Sequence, residues 1–149
     1  HAWRLNAANA SASVREGYLK AATAASSQWF GYSVAVAANG THEVVAVGAP
    51  LSATGGPYGN ASAGLAMRYD VTSTGGGVAN EGDVWTFVHR VAEGGVGTWR
   101  AAHRLKAPDG MVDEQFGRTL SAAATAEGEF VLGVGTWGGC RGYVVTILW

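Results

Sequence analysis

The sequence is poor in cysteine, proline and charge. A single cysteine, Cys140, stands in 149 residues, so an internal disulfide framework and a cysteine-built metal site are both excluded. A buried, inert thiol is its expected state, with pairing between molecules as the alternative. Proline occurs only 3 times, and charged residues make up 14% of the chain with a net charge of −1. That balance offers no basic surface to nucleic acid and no acidic tail. No apolar run approaches the roughly 18 residues of a membrane span, and no signal peptide is visible. The chain begins at His1, not Met, and stops at Trp149 within an apolar run. It therefore reads as a processed or partial piece of a longer polypeptide.

Glycine and aromatics are what the chain has in quantity: 23 Gly, 6 Trp and 5 Tyr. With so little proline and no long amphipathic pattern, this composition predicts many short strands joined by turns. The length suits one ordinary domain with a sizeable core. The organising stretch is Phe30-Gly31-Tyr32-Ser33-Val34-Ala35-Val36, followed by Val44-Val45-Ala46-Val47-Gly48-Ala49-Pro50. The first half alternates with the period of a β-strand: Phe30, Tyr32, Val34 and Val36 fall on one face, Gly31, Ser33 and Ala35 on the other. Asn39-Gly40 supplies a turn that accepts positive φ. The second half is a nearly continuous apolar run, which suits a strand covered on both faces. Pro50 stops it, having no N–H for a ladder. The small residues on one face let a second sheet approach closely.

This pattern recurs. Leu19-Lys20-Ala21 returns as Leu105-Lys106-Ala107 and Phe30-Gly31 as Phe116-Gly117, both displaced by 86 positions (105 − 19 and 116 − 30). Phe130-Val131-Leu132-Gly133-Val134-Gly135 then repeats Val44 to Gly48 with one extra residue. Internal repeats imply modules that bury their faces against neighbours.

In chain order, residues 1–13 read as a loop or frayed arm. Val14 to Ala21 reads as a strand, and Ala22 to Gln28 as a small-residue connection without an apolar stripe for a helix. Residues 51–81 form a long insertion rich in Gly, Ser, Thr and Asn, of the kind that is functional or disordered; within it, Gly64 to Val71 can add a strand. Further strands are expected at Asp83 to Val88, Trp99 to Leu105, Phe116 to Ala122, Phe130 to Val134 and Tyr143 to Trp149. The order is one strand (Val14 to Leu19), a complete four-stranded unit between Phe30 and Leu105, then three strands of another unit. Four-stranded units repeated around an axis are propeller blades. The expected fold class is therefore all-β, with four-stranded antiparallel blades and about two blades in this chain. Residues 14–108 would hold a strand of a preceding blade plus one complete blade, and residues 109–149 a partial second blade. Such a ring needs more blades, supplied by other chain or other copies.

Phe30-Gly31-Tyr32-Ser33-Val34 with Val47-Gly48-Ala49-Pro50 resembles an FG-GAP repeat, the blade motif of integrin α-subunit propellers and of many secreted microbial proteins. The microbial type is the closer resemblance. Leu-Lys-Ala precedes Phe-Gly, a Ser/Asn/Gly-rich insertion follows Gly-Ala-Pro, and Gly82-Asp83-Val84-Trp85-Thr86-Phe87 and Gly97-Thr98-Trp99 come after it. The match covers about residues 16 to 147. It implies an extracellular or cell-surface β-propeller with a structural or adhesive role. There are departures. The second copy has Gly135-Thr136-Trp137 where the first has Gly-Ala-Pro, and the hairpins Asn39-Gly40-Thr41-His42-Glu43 and Ala126-Glu127-Gly128-Glu129 offer calcium too few carboxylates. No calcium site, and no other metal or cofactor, is expected.

Catalytic patterns fail on their own terms. Gly31-Tyr32-Ser33-Val34-Ala35 lacks the last glycine of a nucleophile elbow and no helix follows it; Ser33 reads as a small residue on a packed face. Gly133-Val134-Gly135-Thr136-Trp137-Gly138 matches a dinucleotide fingerprint in letters, but a strand, not a helix, should follow. His42, His89 and His103 have no metal-ligand spacing, and His89 and His103 read as partly exposed. Asp109, Asp113 and Glu114 read as turn-capping, solvated acids.

Three sequons, at Asn9, Asn39 and Asn60, lie in expected loops and make glycosylation candidates, Asn60 first. The functional expectation is a non-enzymatic segment whose loops contact an extracellular protein or glycan, without nucleic acid or a membrane span. The alternatives are a lectin-like module using Tyr58 or Trp137 as a stacking platform, and an accessory domain of a secreted hydrolase.

Overall fold

A computed structural model describes residues 2–4, 14–21, 28–52, 82–91, 98–107, 111–138 and 141–148. All the regular elements among them are β-strands: β1 (Ala2–Arg4), β2 (Val14–Gly17), β3 (Ser33–Ala38), β4 (His42–Ala49), β5 (Asp83–Arg90), β6 (Arg100–Leu105), β7 (Thr119–Ala124), β8 (Phe130–Gly135) and β9 (Gly142–Ile147). They form antiparallel sheets in chain order: β1 with β2, then β3-β4-β5-β6, then β7-β8-β9. No helix among the described residues is long and apolar enough to cross a membrane. Asn9, Tyr58, Asn60, Cys140, Asp109, the expected strand at Gly64 to Val71 and the turn at Glu93 to Gly97 lie outside the described residues.

Local chemistry explains the first hairpin. The Asn39 carboxamide oxygen accepts the Thr41 and His42 N–H groups at 3.1 and 2.8 Å, and Gly40 takes φ 87°. This is an Asx turn whose second residue needs the left-handed region. From it β3 and β4 pair in register from Ala38↔Glu43 to Ser33↔Gly48. β4 is buried on both faces from Val44 to Ala49, as its unbroken apolar run predicts. Phe30 to Tyr32, expected in the strand, form a turn instead. Trp29 and Gly31 both sit at positive φ, 53° and 94°, which breaks the extended run before Ser33.

The repeat is carried through to backbone geometry. β7 begins and ends 86 residues after β3 (119 − 33 and 124 − 38). Gln115 and Gly117 take φ 54° and 87°, reproducing Trp29 and Gly31. The N–H of Arg118 bonds the Gln115 carbonyl at 3.2 Å, as that of Tyr32 bonds Trp29 at 3.1 Å. The second hairpin closes from Ala124↔Phe130, one residue longer than Ala38↔Glu43, as expected.

The amino-terminal arm differs from the loop expected over 1–13. Ala2–Arg4 is a strand, paired antiparallel to a shorter Val14–Gly17. Three residues are too few for a two-residue period to show. Val14–Gly17 lies 86 positions before Arg100–His103 of β6 (100 − 14 and 103 − 17). Even the irregularity repeats: the β1–β2 register skips from Gly17 to Arg15, and the β5–β6 register from His103 to Ala101. The skipped residues, Glu16 and Ala102, are again 86 apart. Among the described residues the sheets thus hold two, four and three strands rather than one, four and three.

The four- and three-stranded sheets pack face to face. The contact joins Ala35, Ala46 and Val84 of the first to Leu132 and Val134 of the second, with Leu120, Ala122 and Tyr143 packed alongside. β3 presents its small residues to this contact: Ala35 is 8% exposed, whereas Val34 and Val36 on its other face are 55% and 61% exposed. The close approach is what selects small side chains. A Cβ on Gly48 would lie 2.1 Å from the Gly117 carbonyl oxygen, and the Ser33 hydroxyl donates to that carbonyl at 2.6 Å. At the other end of β3, the Asn39 amide nitrogen donates to the Gly128 carbonyl at 2.6 Å. β3 and β7 therefore lie side by side in the same direction, with their beginnings together and their ends together. The opposite face of the four-stranded sheet holds Val45, Val47, Trp85 and Phe87 under Leu19, Ala21 and Phe30.

Both strand histidines are more buried than their sequence surroundings imply. His89 is 2% exposed, bonded to Glu43 at 3.1 Å and stacked on Trp99; His103 is 8% exposed. Apolar neighbours on the packed sheet exclude water from positions where the alternation left room for it. Glu114 likewise departs from the solvated acid expected. It is 0% exposed, accepting the Tyr143 hydroxyl at 2.8 Å and the Met111 N–H at 3.1 Å. Turn capping holds for it; solvation does not.

Candidate functional site: an aromatic ledge at one end of the sheets

Antiparallel order places the starts of β3, β5, β7 and β9 and the ends of β4, β6 and β8 at one end of the two sheets. The two Phe-Gly turns lie there. In each, the phenylalanine points inward: Phe116 is 1% exposed, and Phe30 packs edge-on against Phe87 at 6.3 Å. The glycine at positive φ then reverses the chain, so that the next residue, Tyr32 or Arg118, faces out. Because the turns repeat on adjacent sheets, Tyr32 and Arg118 come to neighbouring places on the same rim.

Four planar groups are layered on that rim. Trp29 stacks on Tyr32 with centroids 5.6 Å apart and planes 15° from parallel. The Arg118 guanidinium lies 5.4 Å from the Tyr32 ring and 4.2 Å from the Trp137 ring. Trp29, Tyr32 and Trp137 are 54%, 47% and 63% exposed. The layering is held from below. The Trp137 N–H donates to the Glu114 carbonyl at 2.8 Å, the Arg118 N–H to the Gly135 carbonyl at 3.1 Å, and the Arg118 guanidinium to the Gln115 side-chain oxygen at 2.5 Å. Each cation–π contact at an exposed site is worth about 0.5–1 kcal/mol. That is enough to order the rings, but it leaves large apolar planes in water. Sequence reasoning singled out Trp137 of these four and missed Trp29, Tyr32 and Arg118. The available signal was the repeat itself, since the 86-residue displacement aligns Tyr32 with Arg118 (118 − 32).

Beside the ledge, the base of the 53–81 connection is closed by a buried polar group. The Gly82 N–H donates to the Ser52 carbonyl at 3.1 Å. The Asp83 carboxylate, 1% exposed, accepts the Ser52 hydroxyl at 2.5 Å and the Arg104 guanidinium at 2.6 and 3.1 Å, with the Lys106 ammonium 3.8 Å away. Arg104 also lies over the Trp85 ring at 5.1 Å. A carboxylate held between two cations suits a fixed staple, since buried charge survives only when paired.

Among the described residues the remaining polar groups do not assemble a reaction centre. His89 and Glu43 make an imidazole–carboxylate pair, but His89 is buried against Trp99 and no described hydroxyl or thiol is bonded to its ring. The Ser33 hydroxyl is committed to the Gly117 carbonyl. Gly133 to Gly138 leads from β8 into β9, not into a helix, which removes the dinucleotide reading. Among the described residues no three His, Cys, Asp or Glu side chains gather as a metal would require. Burial pushes the His103 imidazole below its ordinary value. Asn39 uses its amide nitrogen, the atom to which a glycan would be attached, on the Gly128 carbonyl, so a glycan there would cost the bond between the two hairpins.

Comparison with known proteins adds no relative: no family model and no curated protein matches the chain.

Proposed function

We propose that the chain is a segment of an extracellular β-propeller of FG-GAP type, with a structural or adhesive role and no catalysis, and that the Trp29–Tyr32–Arg118–Trp137 ledge is its partner-contact surface. The observation that carries the contact surface is the layered stack of three exposed aromatic rings and a guanidinium on one rim. Tryptophan, tyrosine and arginine are the residues that concentrate binding energy at interfaces, and a cluster of exposed apolar planes marks a surface that is covered in use. The propeller reading is supported by face-to-face antiparallel sheets of four and three strands built on one repeat. Extracellular placement is supported by the sequons and by the family resemblance. The partner is an extracellular protein or a glycan.

One observation favours a glycan. Trp137 is the most exposed of the three rings and its Arg118 neighbour is a planar donor, the pairing that a sugar ring's apolar face and hydroxyl edge would meet. A glycan array and a cell-surface binding assay test the proposal together. Trp137→Ala is expected to abolish binding in one of them without lowering thermal stability by more than about 1 kcal/mol. Binding unchanged in Trp137→Ala and in Tyr32→Ala would remove the ledge from the function. Sugar binding lost on Trp137→Ala selects the lectin-like form, and protein binding lost selects the adhesive one.

A further inference from the structure

Two jobs fall to Asn39, one for each end of its carboxamide. The oxygen accepts the Thr41 N–H at 3.1 Å, the His42 N–H at 2.8 Å and the Thr41 hydroxyl at 3.0 Å, which closes the first hairpin. The nitrogen donates to the Gly128 carbonyl at 2.6 Å, which ties that hairpin to the second one. The residue 86 positions on, Thr125 (125 − 39), does only the first job: its hydroxyl accepts the Glu129 N–H at 3.2 Å. The tie between the hairpins thus depends on a single amide nitrogen. Asn39 is also the only asparagine in the chain that is followed by glycine. Gly40 is exposed to water and carries no Cβ to crowd its own backbone nitrogen. That leaves the side-chain carbon of Asn39 open to attack by the nitrogen next to it.

We propose that Asn39 is a site of spontaneous deamidation, gated by the contact between the two hairpins, and that the reaction cuts the tie between them permanently. The Gly40 nitrogen attacks Cγ of Asn39. A C–N bond forms, the Cγ–Nδ2 bond breaks, and ammonia leaves with the proton of the Gly40 amide. Water then opens the cyclic imide. Attack at Cγ leaves aspartate; attack at the main-chain carbonyl leaves isoaspartate, whose main chain runs through the side-chain carbon. The folded molecule holds the reaction off. Departure of Nδ2 requires loss of its bond to Gly128, and swinging Cγ onto the Gly40 nitrogen draws the oxygen away from its donors. A molecule whose hairpins have parted is released from the first restraint and reacts. The product does not restore the tie. A carboxylate only accepts hydrogen bonds, so it sets an acceptor against the Gly128 carbonyl where a donor stood. The tie lies at the end of β3 and the aromatic ledge at its beginning, so the two are independent.

Ageing the full chain at neutral pH tests it, once in buffer and once in urea above the unfolding transition, followed by peptide mass spectrometry. Aspartate and isoaspartate at position 39 are expected in urea. They should accumulate at least about tenfold more slowly in buffer, the ratio that about 1.4 kcal/mol of opening free energy imposes. Gly40→Ala should suppress the reaction in urea, where the fold plays no part, because the added methyl group crowds the attacking nitrogen. Asn39→Asp supplies the product directly. Its folded-to-unfolded ratio in urea unfolding should fall about tenfold from that of the wild type, a change of about 1.4 kcal/mol. Should Asn39→Asp fail to fold by circular dichroism, wild type aged in urea and returned to buffer gives the same comparison against fresh protein treated alike. Equal rates in buffer and urea, no acid at position 39 in urea, or a product as stable as the wild type overturns the proposal.

Discussion

Gly48→Ala is the sharpest test of why β3 and β4 carry small residues. The added methyl carbon would stand 2.1 Å from the Gly117 carbonyl oxygen, 2.3 Å from the Ser33 hydroxyl oxygen and 3.1 Å from the Gly117 carbonyl carbon. Ordinary contact requires about 3.5 Å, so the sheets must part by about 1 Å or the turn before β7 must shift. Neither is a flexible side chain that can swing away: the nearest atom is backbone. Overpacking of this kind costs about 1–3 kcal/mol. Parting the sheets also breaks the Ser33–Gly117 hydrogen bond, worth about 0.5–1.5 kcal/mol. Together they predict a loss of about 2–4 kcal/mol, or roughly 6–14 °C in Tm for a chain of this size. Urea unfolding followed by tryptophan fluorescence measures it directly. Gly40→Ala is the control. It has left-handed strain at φ 87°, which Gly48 does not, but nothing within 4 Å of the new carbon, so it should cost only about 1–2 kcal/mol. Adding Ser33→Ala to Gly48→Ala removes one clash and leaves the carbonyl clash, so it should restore part of the loss and not all of it. A Gly48→Ala protein within about 0.5 kcal/mol of wild type would refute the close-approach argument.

Three further outcomes follow from the buried polar groups. Asp83→Asn removes the carboxylate shared by Arg104 and Lys106 and should destabilise by about 3–5 kcal/mol in chemical unfolding, because it leaves buried cations poorly matched. Tyr143→Phe takes a hydroxyl from the fully buried Glu114 and should cost about 1–3 kcal/mol, measured the same way. His103 supplies a pH dependence. Its native-state value is depressed by burial, so the unfolded chain binds the proton first as pH falls below the ordinary histidine value of about 6.5. Stability should therefore be full above that point and decline as pH drops toward the native-state value; in His103→Gln the part of this slope due to His103 should vanish.

Much of the architecture is written in local pattern. The alternation from Ser33 onward, the unbroken run of Val44 to Ala49 and the Asn39-Gly40 turn each gave the right element, because period two, burial on both faces and positive φ are properties of a few adjacent residues; Phe30 to Tyr32, read into the first strand, form a turn instead. The 86-residue repeat carried further than its letters: the φ values of the Phe-Gly turns and the skipped residues Glu16 and Ala102 follow it as well. β1 escaped notice because three residues have no period. His89, His103 and Glu114 were misjudged because burial depends on what lies across the sheet, not along the strand.

The sequence by itself determined the longer strands and the small-residue face, because backbone pleating couples neighbours in the chain. The small face of β3 was expected to meet a second sheet; only the tertiary structure decided which sheet that is, and it left Val34 and Val36 exposed on the other face. Hydrophobicity alone would have turned Val34 and Val36 inward, yet the approach of a second sheet to within a hydrogen bond of Ser33 admits only small side chains there. It also decided the ledge: Trp29 and Tyr32 lie on one sheet and Arg118 and Trp137 on the next, and nothing brings them together except the packing of those sheets in register.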